Sequence, residues 1–189
     1  MITLPNECYY EIFNNLQHNY KTLFSCALVN REWCRFIIPI LWSEPRRYFS
    51  DTRLIRICLL TLNAEEQAFL IPFKISLPSY SKPLFEYTSY ITSVSEFLFE
   101  GIKNWLRYNK YSRGLGNVVK HSLITMFLRT GKNLKYLYID ETICSPIILE
   151  YFYKNSTVNT VDFVPSYDIN DDFKSKAIDG LNENIIGST

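Results

Sequence analysis

No run of apolar residues in this 189-residue chain reaches the roughly 18 that a membrane-spanning helix needs. The first residues carry no basic stretch followed by an apolar one. No secretory signal is readable, and a cytoplasmic or nuclear protein is expected. Histidine is scarce, with only His18 and His121. The five cysteines, Cys8, Cys26, Cys34, Cys58 and Cys144, include no C-x-x-C pair. An odd number without a secretory route argues against a disulfide framework, and the histidines are too few to complete a zinc site. The cysteines read as small buried apolar residues. Neither a metal nor a cofactor is expected.

Catalytic signatures are missing as well. There is no Gly-x-Gly-x-x-Gly, Gly-Lys-Ser/Thr, Gly-x-Ser-x-Gly or His-Glu-x-x-His, and no kinase motif. Asp168, Asn170, Asp171 and Asp172 lack the spacing, the glycine and the closing glutamate of a calcium loop. No catalytic residue is assigned, and a non-enzyme is expected. The net charge of +1 argues against a strong general affinity for nucleic acid.

What the chain does have is apolar and aromatic mass. Hydrophobic residues make up 47% and aromatics 16%, with 14 Tyr and 13 Phe. That excludes a mostly disordered chain and predicts one or two small domains with aromatic-rich cores.

The first 42 residues are the most informative. Asn6 stands where a helix N-cap is expected, with Glu7 in the first turn. Tyr9, Ile12, Phe13 and Leu16 recur at helical spacing on one face. His18-Asn19-Tyr20 interrupts that helix. Leu23, Ala27 and Leu28 start a second. Trp33, Phe36, Ile37 and Ile40 form a third, which Pro39 is expected to kink or end.

Leu4-Pro5-x-Glu7, Ile12-Phe13-x-x-Leu16, then Leu23, Cys26, Val29, Arg31 and Trp33, closed by Pro39-Ile40-Leu41-Trp42, resemble the F-box. Cys26 to Cys34 is the most specific stretch. Many F-boxes carry a basic residue directly before the tryptophan, where this chain has Glu32. The resemblance covers the first quarter of the chain. It implies a three-helix unit over residues 1–45 that binds the adaptor subunit of an SCF-type, cullin–RING ubiquitin ligase, and through it the cullin. It implies adaptor contacts from Leu4, Pro5, Ile12, Phe13, Leu16, Leu23, Val29, Arg31 and Trp33. Other segments of such proteins hold the target.

Residues 46–117 read as a helical connector. Leu54, Ile55, Cys58, Leu59 and Leu62 share a face behind an N-cap at Asp51, and Ala64–Leu70 adds a helical turn or two. Pro72, Pro78 and Pro83 mark an irregular but apolar segment. Ser93-x-x-Glu96 has the pattern of a capping box ahead of a helix carrying Val94, Phe97, Leu98, Ile102, Trp105 and Leu106. Residues 113–117 read as a loop.

The next segment repeats. Residues 122–139 align without gaps on residues 146–163, a period of 24. Each copy reads as helix, turn and short strand, with Leu134-x-x-Leu137-x-Ile139 falling on Val158-x-x-Val161-x-Phe163. Gly131 and Asn155 take matching places at the helix ends, where a left-handed cap is expected. The pattern is similar to a degenerate leucine-rich repeat over residues 118–170, followed by a polar tail over 171–189. The fold class expected is α+β and mostly helical: a three-helix F-box, further helices and a small parallel sheet. The strands near 135–139 and 159–163 are expected to be neighbours, with Leu137, Ile139, Val161 and Phe163 buried.

Charge is unevenly spread. Residues 102–139 hold eight basic side chains and no acidic one, whereas residues 140–189 hold three basic and nine acidic. Arg107, Arg113 and Arg129 are therefore candidates to bind an acidic or phosphorylated target segment, since guanidinium groups bind phosphate in a bidentate way. A solvated surface is the plainer alternative. Three functions stay open: the substrate receptor of a ubiquitin ligase, a non-degradative F-box scaffold, and a nucleic-acid binder using residues 102–139.

Overall fold

The computed structural model describes residues 4–77, 83–143 and 145–164. The chain divides into two compact units, Met1–Pro45 and Arg46–Thr189.

The first unit is three helices: α1 (Asn6–Asn15), α2 (Tyr20–Ala27) and α3 (Arg31–Ser43). Pro5, not Asn6, is the residue before α1, and no side chain caps that helix. The Asn19 side chain accepts from the Thr22 backbone N–H at 3.2 Å, and Asn30 caps α3 through Trp33 N–H at 2.8 Å. Such caps satisfy amides that the first helical turn leaves without partners. Pro39 does not end α3, which runs on to Ser43. Ile40 and Leu41, just past the proline, pack on the core of the unit and hold the last turn in place. Proline costs the helix its own N–H bond, and tertiary packing offsets that loss.

The second unit is α/β. Its helices are α4 (Thr52–Leu60), α5 (Ala64–Ala68), α6 (Phe97–Tyr108), α7 (Gly116–Thr130) and α8 (Pro146–Lys154). Its strands are β1 (Ser93–Val94), β2 (Tyr136–Asp140) and β3 (Thr160–Val164), in the order β1-β2-β3 and all parallel. The expected fold class is the observed one. Asp51 caps α4 through the Arg53 N–H, and Asn63 and Glu66 form a reciprocal capping box on α5.

The period of 24 reappears as register. Tyr136 pairs with Thr160, Leu137 with Val161, and so on to Asp140 with Val164, each pair 24 residues apart. Helix α8 joins the two strands. Asn155 ties the repeated segments together: its Nδ2 donates to the carbonyls of Leu128 at 2.7 Å and Gly131 at 3.2 Å. Its Oδ1 accepts from the N–H groups of Thr157 and Val158. A buried amide with this many partners holds one geometry only.

Further expectations are corrected in this unit. Ser93-x-x-Glu96 is not a capping box: Ser93 lies in β1, and Glu96 makes no side-chain cap. The Thr92 carbonyl accepts from both Lys135 and Tyr136 N–H, so the backbone there belongs to the sheet. Asn155 is not left-handed, having φ −93°, and neither is Gly131, at φ −73°. Gly131 is needed for space, since a Cβ would sit 2.6 Å from the Phe127 carbonyl oxygen and 2.8 Å from Leu134 Cβ. Residues 113–117 are not a loop, because a 3-10 turn at Arg113–Leu115 leads directly into α7. Leu137 and Ile139 are buried, but Val161 is only half-buried, on the outermost strand. The Phe163 side chain, Cys144, Pro78 and the polar tail lie outside the described residues.

The core of this unit is apolar and close. Gly101 lets α6 approach the 3-10 turn at Arg46–Ser50, where a Cβ would fall 1.8 Å from the Phe49 carbonyl oxygen. Phe49 in turn meets Phe127 edge-to-face at 5.8 Å. Asn104 Nδ2 donates to the Ser50 carbonyl on the same turn.

Candidate functional site

In the three-helix unit the apolar side chains divide between core and surface. Phe13, Leu23, Ala27 and Ile37 are buried, and Tyr9, Leu16, Cys26, Trp33 and Phe36 pack around them. Trp33 meets Phe13 edge-to-face at 5.2 Å, while Tyr9 stacks on Phe13 and Phe36. Among the residues picked out from sequence, Phe13 and Leu23 are therefore core, each 1% exposed. Leu16 and Trp33 are half-buried, and Leu4, Pro5, Ile12, Val29 and Arg31 are exposed.

The sequence reading passed over a second set. Tyr20, Phe24 and Leu28 recur every four residues, which places them along one side of α2. All three are exposed, Leu28 at 72%, as is Tyr10 on α1. The available signal was the apolar residue left over on each helix once the core stripe had been filled. Exposed large apolar groups at this density mark interaction surfaces.

Residues 1–48 match the F-box-like family. The N-terminal unit is an F-box-like domain. No curated protein and no solved structure matches the chain. The family match points to adaptor binding within an SCF-type ubiquitin ligase. The F-box-like domain offers that role an exposed apolar surface. Cys8 is exposed and Cys26 and Cys34 half-buried, so among the described cysteines the expected burial holds fully only for Cys58 in the second unit. Burial pushes the Cys58 thiol up to about 12. Among the described residues, no three His, Cys, Asp or Glu side chains are placed to hold a metal, and no helix is long and apolar enough to cross a membrane.

Lys120, Arg129 and Lys132 of the basic segment are ion-paired within the second unit. Arg129 is spent internally: its Nε and Nη2 donate to the two carboxylate oxygens of Glu66 at 2.6 and 2.8 Å, and Nη2 also donates to the Thr61 carbonyl. Glu66 is fully buried, and its hydrogen bond to Arg129 raises the guanidinium pKa. Arg129 is thus a structural cation and not a group held ready for phosphate. Lys120 pairs with Asp140 at 2.6 Å and lies over the Phe99 ring at 4.3 Å. Arg107 and Arg113 remain exposed, at the C-terminal end of α6 and in the turn before α7.

The sheet carries a different chemistry. Leu137 and Ile139 face the core, so Tyr136, Tyr138 and Asp140 alternate onto the other face of β2. Asp162 lies opposite Tyr138 on β3 and accepts a hydrogen bond from the Tyr136 hydroxyl at 3.0 Å. Desolvation, then the Asp162 hydrogen bond, pushes the Tyr136 phenol up to about 12. The Tyr138 phenol is raised too, by desolvation and then by the charges of Asp140, Asp162 and Glu96. His121, on α7, bonds Ser145 Oγ at 2.9 Å and lies 4.5 Å from the Phe69 ring; burial lowers its pKa. It serves packing at the start of α8, whose N-cap is Ser145.

Proposed function

We propose that this chain is the substrate-recognition subunit of an SCF-type ubiquitin ligase. The F-box-like domain binds the adaptor, and the tyrosine- and carboxylate-bearing face of the sheet binds the target. No side chain of this chain then performs chemistry. The ligase acts by raising the effective concentration of the ubiquitin donor near a target lysine.

The observation that carries this reading is the split within the F-box-like domain. A complete small core coexists with exposed Leu4, Ile12, Phe24, Leu28 and Val29. In this reading Leu4, Pro5, Ile12, Val29 and Arg31 touch the adaptor directly, with Phe24 and Leu28 beside them. Leu16 and Trp33 contribute in part, and Phe13 and Leu23 hold the helices that present the others.

Co-precipitation from cells tests it. The full chain is expected to recover adaptor and cullin. Ile12→Ala combined with Leu28→Ala is expected to reduce that recovery at least tenfold while leaving the chain folded. Undiminished recovery by the folded double variant refutes the assignment. Target turnover that stops on cullin inhibition separates a ligase receptor from a non-degradative scaffold.

A further inference from the structure

Beside β1 lies a cleft of about 340 Å³ bounded by Ser93, Ser95, Glu96, Phe97 and Tyr136. Its volume is at the small end for ligand pockets, which span roughly 300–1,000 Å³. That suits a side chain better than a cofactor. Ser93 and Ser95 are 5% and 7% exposed, and neither hydroxyl oxygen has a hydrogen-bond partner in the protein. Buried polar groups are ordinarily paired. Two unpaired hydroxyls lining one small cleft leave it short of a polar partner.

The surroundings fix the sign of that partner. Glu96 stands exposed at the rim and, among the described residues, makes no ion pair. Beyond Tyr136, Asp162 is held by the Tyr136 hydroxyl. Of the cations on the neighbouring elements, Lys120 is already matched by Asp140, and Lys135, the residue before Tyr136, is exposed. Arg107 lies ten residues along α6 from Phe97, about 15 Å at the helical rise. An anion entering the cleft meets carboxylates, whereas a cation meets carboxylates, hydroxyl lone pairs and the rings of Phe97 and Tyr136. Aromatic faces attract cations, arginine more often than lysine. A guanidinium also offers five N–H donors in a plane, enough for a carboxylate and two hydroxyls at once.

Resting on the receptor reading above, we infer that this cleft holds an arginine side chain of the target protein. The charge of the target is then opposite to the one that the basic segment 102–139 suggests.

Nuclear magnetic resonance titration of the full chain tests this, with Gly-Gly-Arg-Gly-Gly as probe and the norleucine and phosphoserine peptides as comparisons. The arginine peptide is expected to give saturable amide shifts at residues 93–97 and at Tyr136, and the other two none. Glu96→Gln is expected to weaken the arginine peptide at least tenfold, and Glu11→Gln, in the other unit, to leave it unchanged. Ser95→Ala is expected to weaken it too, with an equal or higher Tm, because the hydroxyl removed has no partner in the free protein. No saturable shift with arginine, equal shifts with norleucine or phosphoserine, or an affinity unmoved by both Glu96→Gln and Ser95→Ala overturns the inference. Adaptor recovery, measured in parallel, keeps the two readings apart. Adaptor capture without arginine binding overturns the cleft alone, whereas arginine binding without adaptor capture overturns the receptor reading and leaves the cleft assigned.

Discussion

The two units handle apolar surface in opposite ways. Among its described residues, the F-box-like domain buries four apolar side chains, Phe13, Leu23, Ala27 and Ile37, and leaves seven large ones exposed: Leu4, Tyr10, Ile12, Tyr20, Phe24, Leu28 and Val29. Among the described residues, the α/β unit exposes the same number over a much longer stretch, and each of α4, α6 and α7 buries four or more residues. A short three-helix unit cannot bury much of its own surface, so its apolar residues outnumber its core positions. The larger unit can also bury polar groups, because it has partners for most of them: Glu66 with Arg129, Lys120 with Asp140, Asn155 with four backbone groups. The apolar excess of the first unit stays on its surface, whereas the polar interior of the second holds its own fold together.

Two truncations break the contrast most severely. Arg129→Ala leaves the Glu66 carboxylate buried without its cation, and breaking such a pair costs about 3–5 kcal/mol. Urea denaturation of the α/β unit is expected to show that loss with adaptor recovery unchanged. Phe13→Ala empties the centre of the F-box-like domain, at a cost of about 3–5 kcal/mol. It is expected to abolish adaptor recovery by unfolding the domain, which circular dichroism detects. If Phe13→Ala unfolds nothing, the four-residue core is not what holds the three helices.

Leu137→Ala comes next, at about 2–5 kcal/mol, since Leu137 is wholly buried between β1 and β3. A loss below about 0.5 kcal/mol, the range of surface substitutions, contradicts its place in the core. The pH dependence of the α/β unit is a gentler probe. Burial lowers the His121 pKa below its ordinary 6.5. The unfolded chain therefore takes up a proton below about pH 6.5, while the folded one does so only at lower pH. Stability falls as pH drops through that window and levels off once the folded imidazole is itself charged. Denaturation midpoints at pH 7.5 and pH 5 are expected to lie closer together in His121→Gln than in the parent chain; identical spacing removes His121 from the account. The smallest stability effect belongs to the surface. Ile12→Ala is expected to move stability by no more than about 0.5 kcal/mol, yet to weaken adaptor recovery. Phe13→Ala loses recovery only by unfolding the domain, so this adjacent pair separates interface from core within one helical turn.

Local order was legible in the sequence wherever short-range chemistry decides it. The three N-terminal helices, the cap at Asp51 and the period of 24 follow from side-chain spacing, and that period became the register of a parallel strand pair. The two-residue strand β1 was not legible, because nothing within Ser93–Val94 marks it. Lys135 and Tyr136, more than forty residues away, create it by donating to the Thr92 carbonyl. Tertiary packing also carried α3 through Pro39 and set Gly131 by space instead of by dihedral freedom.

For the candidate sites the division is sharper. The sequence by itself determined that the N-terminal segment forms apolar helices, because composition and helical spacing are local properties; their F-box-like character rests on the family match. Only the tertiary structure decided which of those apolar residues face out, for adjacent Ile12 and Phe13 differ only in the direction in which α1 presents them. It likewise decided the fate of the charges. Arg129 looked available in a run without acids, but a carboxylate 63 residues earlier in the chain claims it. The serines and carboxylate around the β1 cleft gain a shared function only because β2 lies beside them. Charge pairing and cavities depend on distances in space, and a one-dimensional pattern does not contain them.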